Sequence, residues 1–239
     1  MKKNKAAAFL ILVISLLVIL PQIVFLPMIE KGLIDVVSRS FMVGKEKVAL
    51  TLKAKPAVKI LWGSFDSFQL LIESPDFGGL PLDTLQMDMG SGKVDLPLFL
   101  SKRELKFAAK SRGVGRIVIT EDALNDYLIE KYKGFIDNPK AVLGDNEVSI
   151  QGSFELMGQR IPIIIWGTLV PEGDSAVIFV PEDIEVKSVR ISQGLKNKLL
   201  ENMAIIFNFD SLPLGAEIAG IEVEEGSLLI SMEMHNNRF

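Results

Sequence analysis

Residues 101–116, SKRELKFAAKSRGVGR, set Lys102, Arg103, Lys106, Lys110, Arg112 and Arg116 against a single carboxylate, Glu104. In a chain of formal charge −4 this is a local excess of cations. Two readings fit it. One is the solvated face of a strand pair. The other is a surface that meets anionic lipid headgroups, where each Lys or Arg contributes about 1 kcal/mol. Little else has the types and spacing that chemistry needs. The one histidine, His235, is four residues from the end and cannot build a histidine zinc site alone. A Ser-His-Asp triad would rest on that residue, and no Gly-x-Ser-x-Gly elbow accompanies it. GSGK within MDMGSGKV suggests a phosphate loop, but that loop needs glycine where Met87 stands and Ser or Thr where Val94 stands. The acidic clusters TEDALND, EGD, PEDIE and EVEEG lack calcium-loop spacing. They sit where helix starts and hairpin turns take acids anyway. No catalytic residue, metal site or cofactor is assigned, and the chain is expected not to be an enzyme.

Composition narrows the classes further. Of the 239 residues, 49% are apolar, which is ample material for a core. The acidic balance argues against nucleic acid as a partner. With no cysteine, disulfides, thiol catalysis and a lipid-modified cysteine are all excluded.

The start of the chain gives an address. Lys2, Lys3 and Lys5 precede an apolar run from Ala6 to Leu20, broken at Pro21 and Gln22 and resumed from Ile23 to Ile29. As one helix at ~1.5 Å per residue, residues 6–29 would reach about 36 Å, enough for a hydrocarbon core of about 30 Å. Pro21 can kink such a helix without abolishing it. Residues 1–29 are therefore expected to be a cytoplasmic tip and a single-pass signal anchor. The lysines stay in the cytoplasm, and residues 30–239 form one extracytoplasmic domain. A cleavable secretory signal is the rival reading, although no pair of small residues follows at the right place. Either way the rest of the chain is exported.

That part is mostly strand. Next to the anchor, EKGLIDVVSRSFMV has Leu33, Val36, Val37 and Phe41 on one helical face and suggests a stalk continuing the anchor. Period-two alternation follows at Val48, Leu50, Leu52 and Ala54, at Phe68, Leu70 and Ile72, and at Leu85, Met87 and Met89. LKFAAKSRGVGRIVIT carries another strand or two. TEDALNDYLIEKYKGF is a helix with Thr120 as N-cap and Leu124, Tyr127, Leu128 and Phe135 as its apolar stripe. Alternation returns at Val148, Ile150 and Phe154. PIIIWGTLV and SAVIFV are apolar on both faces, as in strands covered on two sides. A second helix starts near Ser192, with Leu195, Leu199 and Met203 at four-residue spacing. The chain ends in a hairpin around Glu225-Gly226, with Ile221, Val223, Leu228, Ile230, Met232 and Met234 in register. The expected fold is α+β, mostly β: a long curved antiparallel sheet of roughly ten strands wrapped on two or three helices, with an N-terminal transmembrane helix.

In this order, VALTLKAKPAVKILWGSFDSFQLLIES, IVITEDALNDYL and SLPLGAEIAGIEVEEGSLLIS resemble the LmeA-like phospholipid-binding family of bacterial envelope proteins, over roughly residues 30–234. The resemblance rests on Pro, Gly and alternating apolar positions. It implies an extracytoplasmic domain, similar to the tubular lipid-binding domains, that holds phospholipid in an apolar cavity under a long curved sheet. It carries over no metal or catalytic residue. Members with a cleaved signal differ from this chain, whose retained anchor argues against free shuttling.

The residues alone lead to a similar place. A long sheet with an apolar face needs a cover, and two helices of about three turns cover only part of it. The remaining wall either closes on itself or lines a cavity for acyl chains. Alternation marks Leu50, Leu52, Phe68, Leu70, Ile163, Ile165, Phe179, Ile230 and Met232 as candidate lining residues. Met203, Met232 and Met234 suit an adaptable lining and equally an ordinary core. The expected partners are phospholipid and the cytoplasmic membrane; no protein partner is indicated. The alternative is an envelope scaffold or interaction domain with a closed core.

Overall fold

The computed structural model describes residues 21–102, 106–109, 111–131, 136–156, 158–186, 194, 205–209 and 216–234. A π-helical turn, Pro21–Phe25, runs into helix α1 (Leu26–Ser40). The other described helices are α2 (Leu96–Lys102) and α3 (Glu121–Lys131). In chain order the strands are β1 (Val48–Lys53), β2 (Ser64–Phe65), β3 (Ser67–Glu73), β4 (Asp76–Phe77), β5 (Leu80–Pro81), β6 (Thr84–Met89), β7 (Gly92–Val94), β8 (Phe107–Ala109), β9 (Gly113–Thr120), β10 (Asp137–Leu143), β11 (Val148–Leu156), β12 (Gln159–Glu172), β13 (Ala176–Val186), β14 (Ile205–Asn208), β15 (Ala216–Glu224) and β16 (Ser227–Met234).

The fold is mostly β and antiparallel, as the alternation predicts. It is built as two main sheets rather than one. The first has the order β1-β3-β6-β9-β16-β15 and the second β10-β11-β12-β13-β14; β2-β7-β8 and β4-β5 are small additions. β15, an edge of the first sheet, lies across the turn ends of the second. The Ile218 N–H donates to the Asp174 carbonyl (2.8 Å), the Asn146 N–H to Val223 (3.1 Å) and the Gly226 N–H to Leu143 (3.0 Å). A bulge between Ile218 and Gly220 bends β15 at this junction. One apolar core runs through both sheets and all three helices.

α1 is not a stalk. Leu33 has no exposed surface, and Val36, Val37 and Phe41 are buried in the same core as the sheets. The four-residue spacing that makes the helix amphipathic is satisfied by β1 rather than by a membrane continuation. The Glu30 carboxylate also takes the Leu52 N–H at 2.9 Å. Most of the expected anchor, residues 1–20, lies outside the described residues. Among the described residues no helix is long and apolar enough to cross a membrane.

α3 forms where the sequence places it, with Leu124, Tyr127 and Leu128 buried and Thr120 Oγ1 accepting the Ala123 N–H at 3.3 Å. Phe135 lies outside the described residues, as does the helix expected from Ser192 apart from Gly194. α3 also covers the open edge of β10. Asn125 Oδ1 accepts the Ala141 N–H (2.6 Å) and Glu121 Oε2 accepts that of Leu143 (2.9 Å). Paired in this way, the edge cannot recruit another chain. Among the described residues, the two-sided cover expected for PIIIWGTLV and SAVIFV is only partial: Ile164 and Ile178 on the outer face are half-buried. Ile163, Ile165, Val177 and Phe179 point into the core, whereas Trp166, Val170 and Val180 on the opposite face are exposed.

Candidate functional site

The inward face of the first sheet is a set of rows, because opposed residues on antiparallel strands share a face. One row runs Leu50, Leu70, Met87, Gly115, Met232 and Ile218. The next is Leu52, Phe68, Met89, Gly113, Met234 and Ala216. A third holds Ile72, Leu85, Ile117, Ile230 and Ile221. Five of the proposed lining residues, Leu52, Phe68, Leu70, Ile230 and Met232, are thus buried neighbours on one wall, and Leu50 packs half-buried at its edge.

The middle of this wall is a notch. Gly113 and Gly115 of β9 carry no side chain; Met89 and Met234 close over Gly113 and Met232 over Gly115, with Met87 opposite Gly115 on β6. A Cβ on Gly115 would sit 2.8 Å from Met232 Cε, and one on Gly113 2.8 Å from Met234 Cε. Four unbranched thioethers on the strands flanking two glycines make the most deformable part of the wall, since Met has three rotatable bonds and a polarizable sulfur. Met87, Met89 and the two glycines are absent from the sequence-derived lining set. The available signal was G-x-G in an alternating strand, which marks a close approach to a neighbour.

Ile163, Ile165 and Phe179 lie on the second sheet, away from those rows. Ile165 is flanked by Ile150 and Ile184, and Ile163 by Gly152 and Val186. Gly167 leaves room for the Phe179 ring: a Cβ there would sit 2.7 Å from Phe179 Cζ. All three are buried in the common core. The structure therefore divides the proposed lining between two walls of one interior. A shallow recess of about 290 Å3 at the β10 bulge, bordered by Asn138, Lys140, Gln151 and Ile163, is half polar and open to solvent. It does not suit an alkyl chain.

The basic run divides as well. Arg116 lies in β9 between Gln86 and Ser231, on the outward face of the first sheet. Lys102 ends α2, Lys106 leads into β8, and Arg112 precedes β9; all four are exposed. Arg103 and Lys110 lie outside the described residues. Lys102 and Lys106 stand beside the small sheet β2-β7-β8, whose Phe65 and Phe107 stack on Phe68 with ring centroids 6.2 and 4.9 Å away. The sequence pattern over Leu96–Lys102 is too short to mark α2 as a helix. Its signal is Asp95 before Leu-Pro: Asp95 Oδ1 accepts the Leu98 N–H at 2.9 Å.

Two of the acidic clusters have side-chain partners, and a third lies in a turn. Glu121 covers β10, Asp174 is in the β12–β13 turn, and Glu182 Oε1 accepts from Thr168 Oγ1 at 3.1 Å. Among the described residues, no three His, Asp or Glu side chains gather as a metal site. The Asp66 carboxyl is displaced from its ordinary value. The Lys59 ammonium bonded to it and the Lys55 N–H at 2.6 Å hold it below the usual carboxylate range.

No curated protein and no solved structure matches the chain. The model of one family, described as LmeA-like phospholipid-binding, matches residues 35–233. That span takes in both sheets, the methionine–glycine wall and α3. A mostly β chain with two apolar walls, matched over most of its length, belongs to the LmeA-like phospholipid-binding family.

Proposed function

We propose that this chain is a membrane-anchored, extracytoplasmic protein that holds a phospholipid by its acyl chains between the two apolar walls, without covalent chemistry. The family match carries the reading. The walls supply a physical basis: each methylene buried there contributes about 0.8 kcal/mol, so ten methylenes outweigh the cost of ordering the tail. Leu52, Phe68, Leu70, Ile230 and Met232 would form one side, with Ile163, Ile165 and Phe179 on the other. Most are sealed from solvent, so a tail enters by displacing side chains, and the methionines over Gly113 and Gly115 move most easily. The run Ala6–Leu20 supports an anchor in the cytoplasmic membrane with the folded domain, residues 30–239, outside it.

Native mass spectrometry of the detergent-solubilised full chain tests this. Phospholipid retained in stoichiometric amount after the micelle is stripped supports it. A chain that is empty and refuses added phospholipid ends it. The exposed stripe Trp166, Val170 and Val180 favours the second reading, an envelope scaffold with a closed core, and an empty chain would point there.

A further inference from the structure

The end of the domain where α1 begins combines exposed apolar residues with lysines. Ile23, Val24 and Met28 are exposed on the entering turn and helix at 68, 48 and 54%. That turn packs against a second one, the 3-10 helix Ala57–Trp62, which exposes Leu61 at 44% and Trp62 at 69%. Trp62 is held outward by a rigid frame. Gly63 closes the turn in the left-handed region (φ 73°), its N–H donating to the Ile60 carbonyl at 2.8 Å. The Lys59–Asp66 pair braces the turn from one side. The small sheet is joined directly to it: the Val94 N–H donates to Gly63 at 2.8 Å, Ser64 is opposite Lys93, and the Asp95 N–H donates to Lys106 at 3.0 Å. Exposed Lys55 and Lys93 therefore lie on segments joined to the apolar tip, and exposed Lys106 and Lys102 follow on the neighbouring strand entry and helix end.

We infer that this end is a docking face for an anionic bilayer, with Trp62 and Leu61 seated at the headgroup–acyl boundary and the lysines on the headgroups. The inference rests on the reading that the N-terminal run is an anchor. The apolar sequence Ala6–Leu20 leads into the Pro21–Phe25 turn, which packs against the Ala57–Trp62 turn, so an inserted run brings this face to the membrane. Tryptophan prefers that depth because its ring is apolar and its N–H stays wet. The lysines match an anionic surface rather than an apolar protein partner.

The chain has only two tryptophans, Trp62 and Trp166. Trp166 is on the outer face of β12, so W166F and W62F variants of the full chain each report one site. In vesicles of phosphatidylglycerol and phosphatidylcholine with brominated acyl chains, Trp62 should be blue-shifted and quenched several-fold more than Trp166. K93E combined with K102E should reduce that quenching. The inference is overturned if Trp62 is quenched no more than Trp166, or equally in vesicles without anionic lipid. A chain that does not float with vesicles overturns both the anchor and the docking. Failure of the lipid-holding reading shows instead as an empty native mass spectrum and leaves the quenching intact.

Discussion

Gly115 and Met232 face each other on neighbouring antiparallel strands, and a methyl group at residue 115 would stand 2.8 Å from the Met232 Cε. The thioether occupies the volume the glycine leaves free. That side chain can swing away and return, which a branched residue held in one rotamer does not do readily.

Filling the notch should therefore reduce lipid capacity more than it harms the fold. Gly115→Val displaces about two methylenes' worth of bound tail at ~0.8 kcal/mol each, so phospholipid retention should fall roughly tenfold. Gly220→Ala, where an added Cβ meets nothing within 4 Å, should leave retention unchanged. Native mass spectrometry reads both. Undiminished lipid in a folded Gly115→Val variant would remove this notch from the site.

Gly63 cannot carry a side chain. It is left-handed, and a Cβ would overlap the Val94 carbonyl oxygen. Gly63→Ala should cost about 2 kcal/mol or more, measured by urea unfolding, because left-handed strain and backbone displacement add. An unchanged midpoint would show that the turn and the small sheet are not coupled through this residue.

The cover on β10 is also measurable. Asn125→Ala leaves the N–H of Ala141, itself 1% exposed, without its acceptor. The expected loss is about 1–3 kcal/mol, with faster hydrogen exchange at Ala141. The exposed neighbour substitution Asp126→Ala should be close to neutral. Equal effects from the two would refute the edge-capping role.

Leu33→Ala tests whether α1 belongs to the folded domain. A leucine with no exposed surface should cost about 2–5 kcal/mol on truncation. A helix serving only as a stalk would lose almost nothing.

Acid should weaken the brace under Trp62. The Asp66 carboxyl is held low by Lys59 and the Lys55 N–H. Its contribution is complete above the unfolded-chain value of about 3.9 and disappears as pH falls through the lower folded value. The stability difference between wild type and Asp66→Asn should therefore be constant near neutrality and shrink below about pH 4. A difference that persists at lower pH would mean that the charge is not what matters.

Local pattern alone located most elements. Strict alternation at Phe68, Leu70 and Ile72, or at Leu228, Ile230 and Met232, leaves one way for a half-buried strand to face. Thr120 with two following acids marks a helix start. α2 escapes such a pattern because its 7 residues carry too little periodicity, although Asp95 before Leu-Pro is a usable cap. The exposed Trp166 face departs from the expected cover because an apolar residue shows that burial is favourable, not that something covers it.

The sequence by itself determined the faces of the alternating strands, the antiparallel hairpins, the apolar entry and the family resemblance. All of these are set by spacing along the chain. Only the tertiary structure decided that there are two sheets, that α1 is core, that Met232 fills the space over Gly115, and that the turn carrying Trp62 packs against the Pro21–Phe25 turn. Those contacts join residues tens to well over a hundred positions apart, and register between distant strands depends on packing that no local window contains.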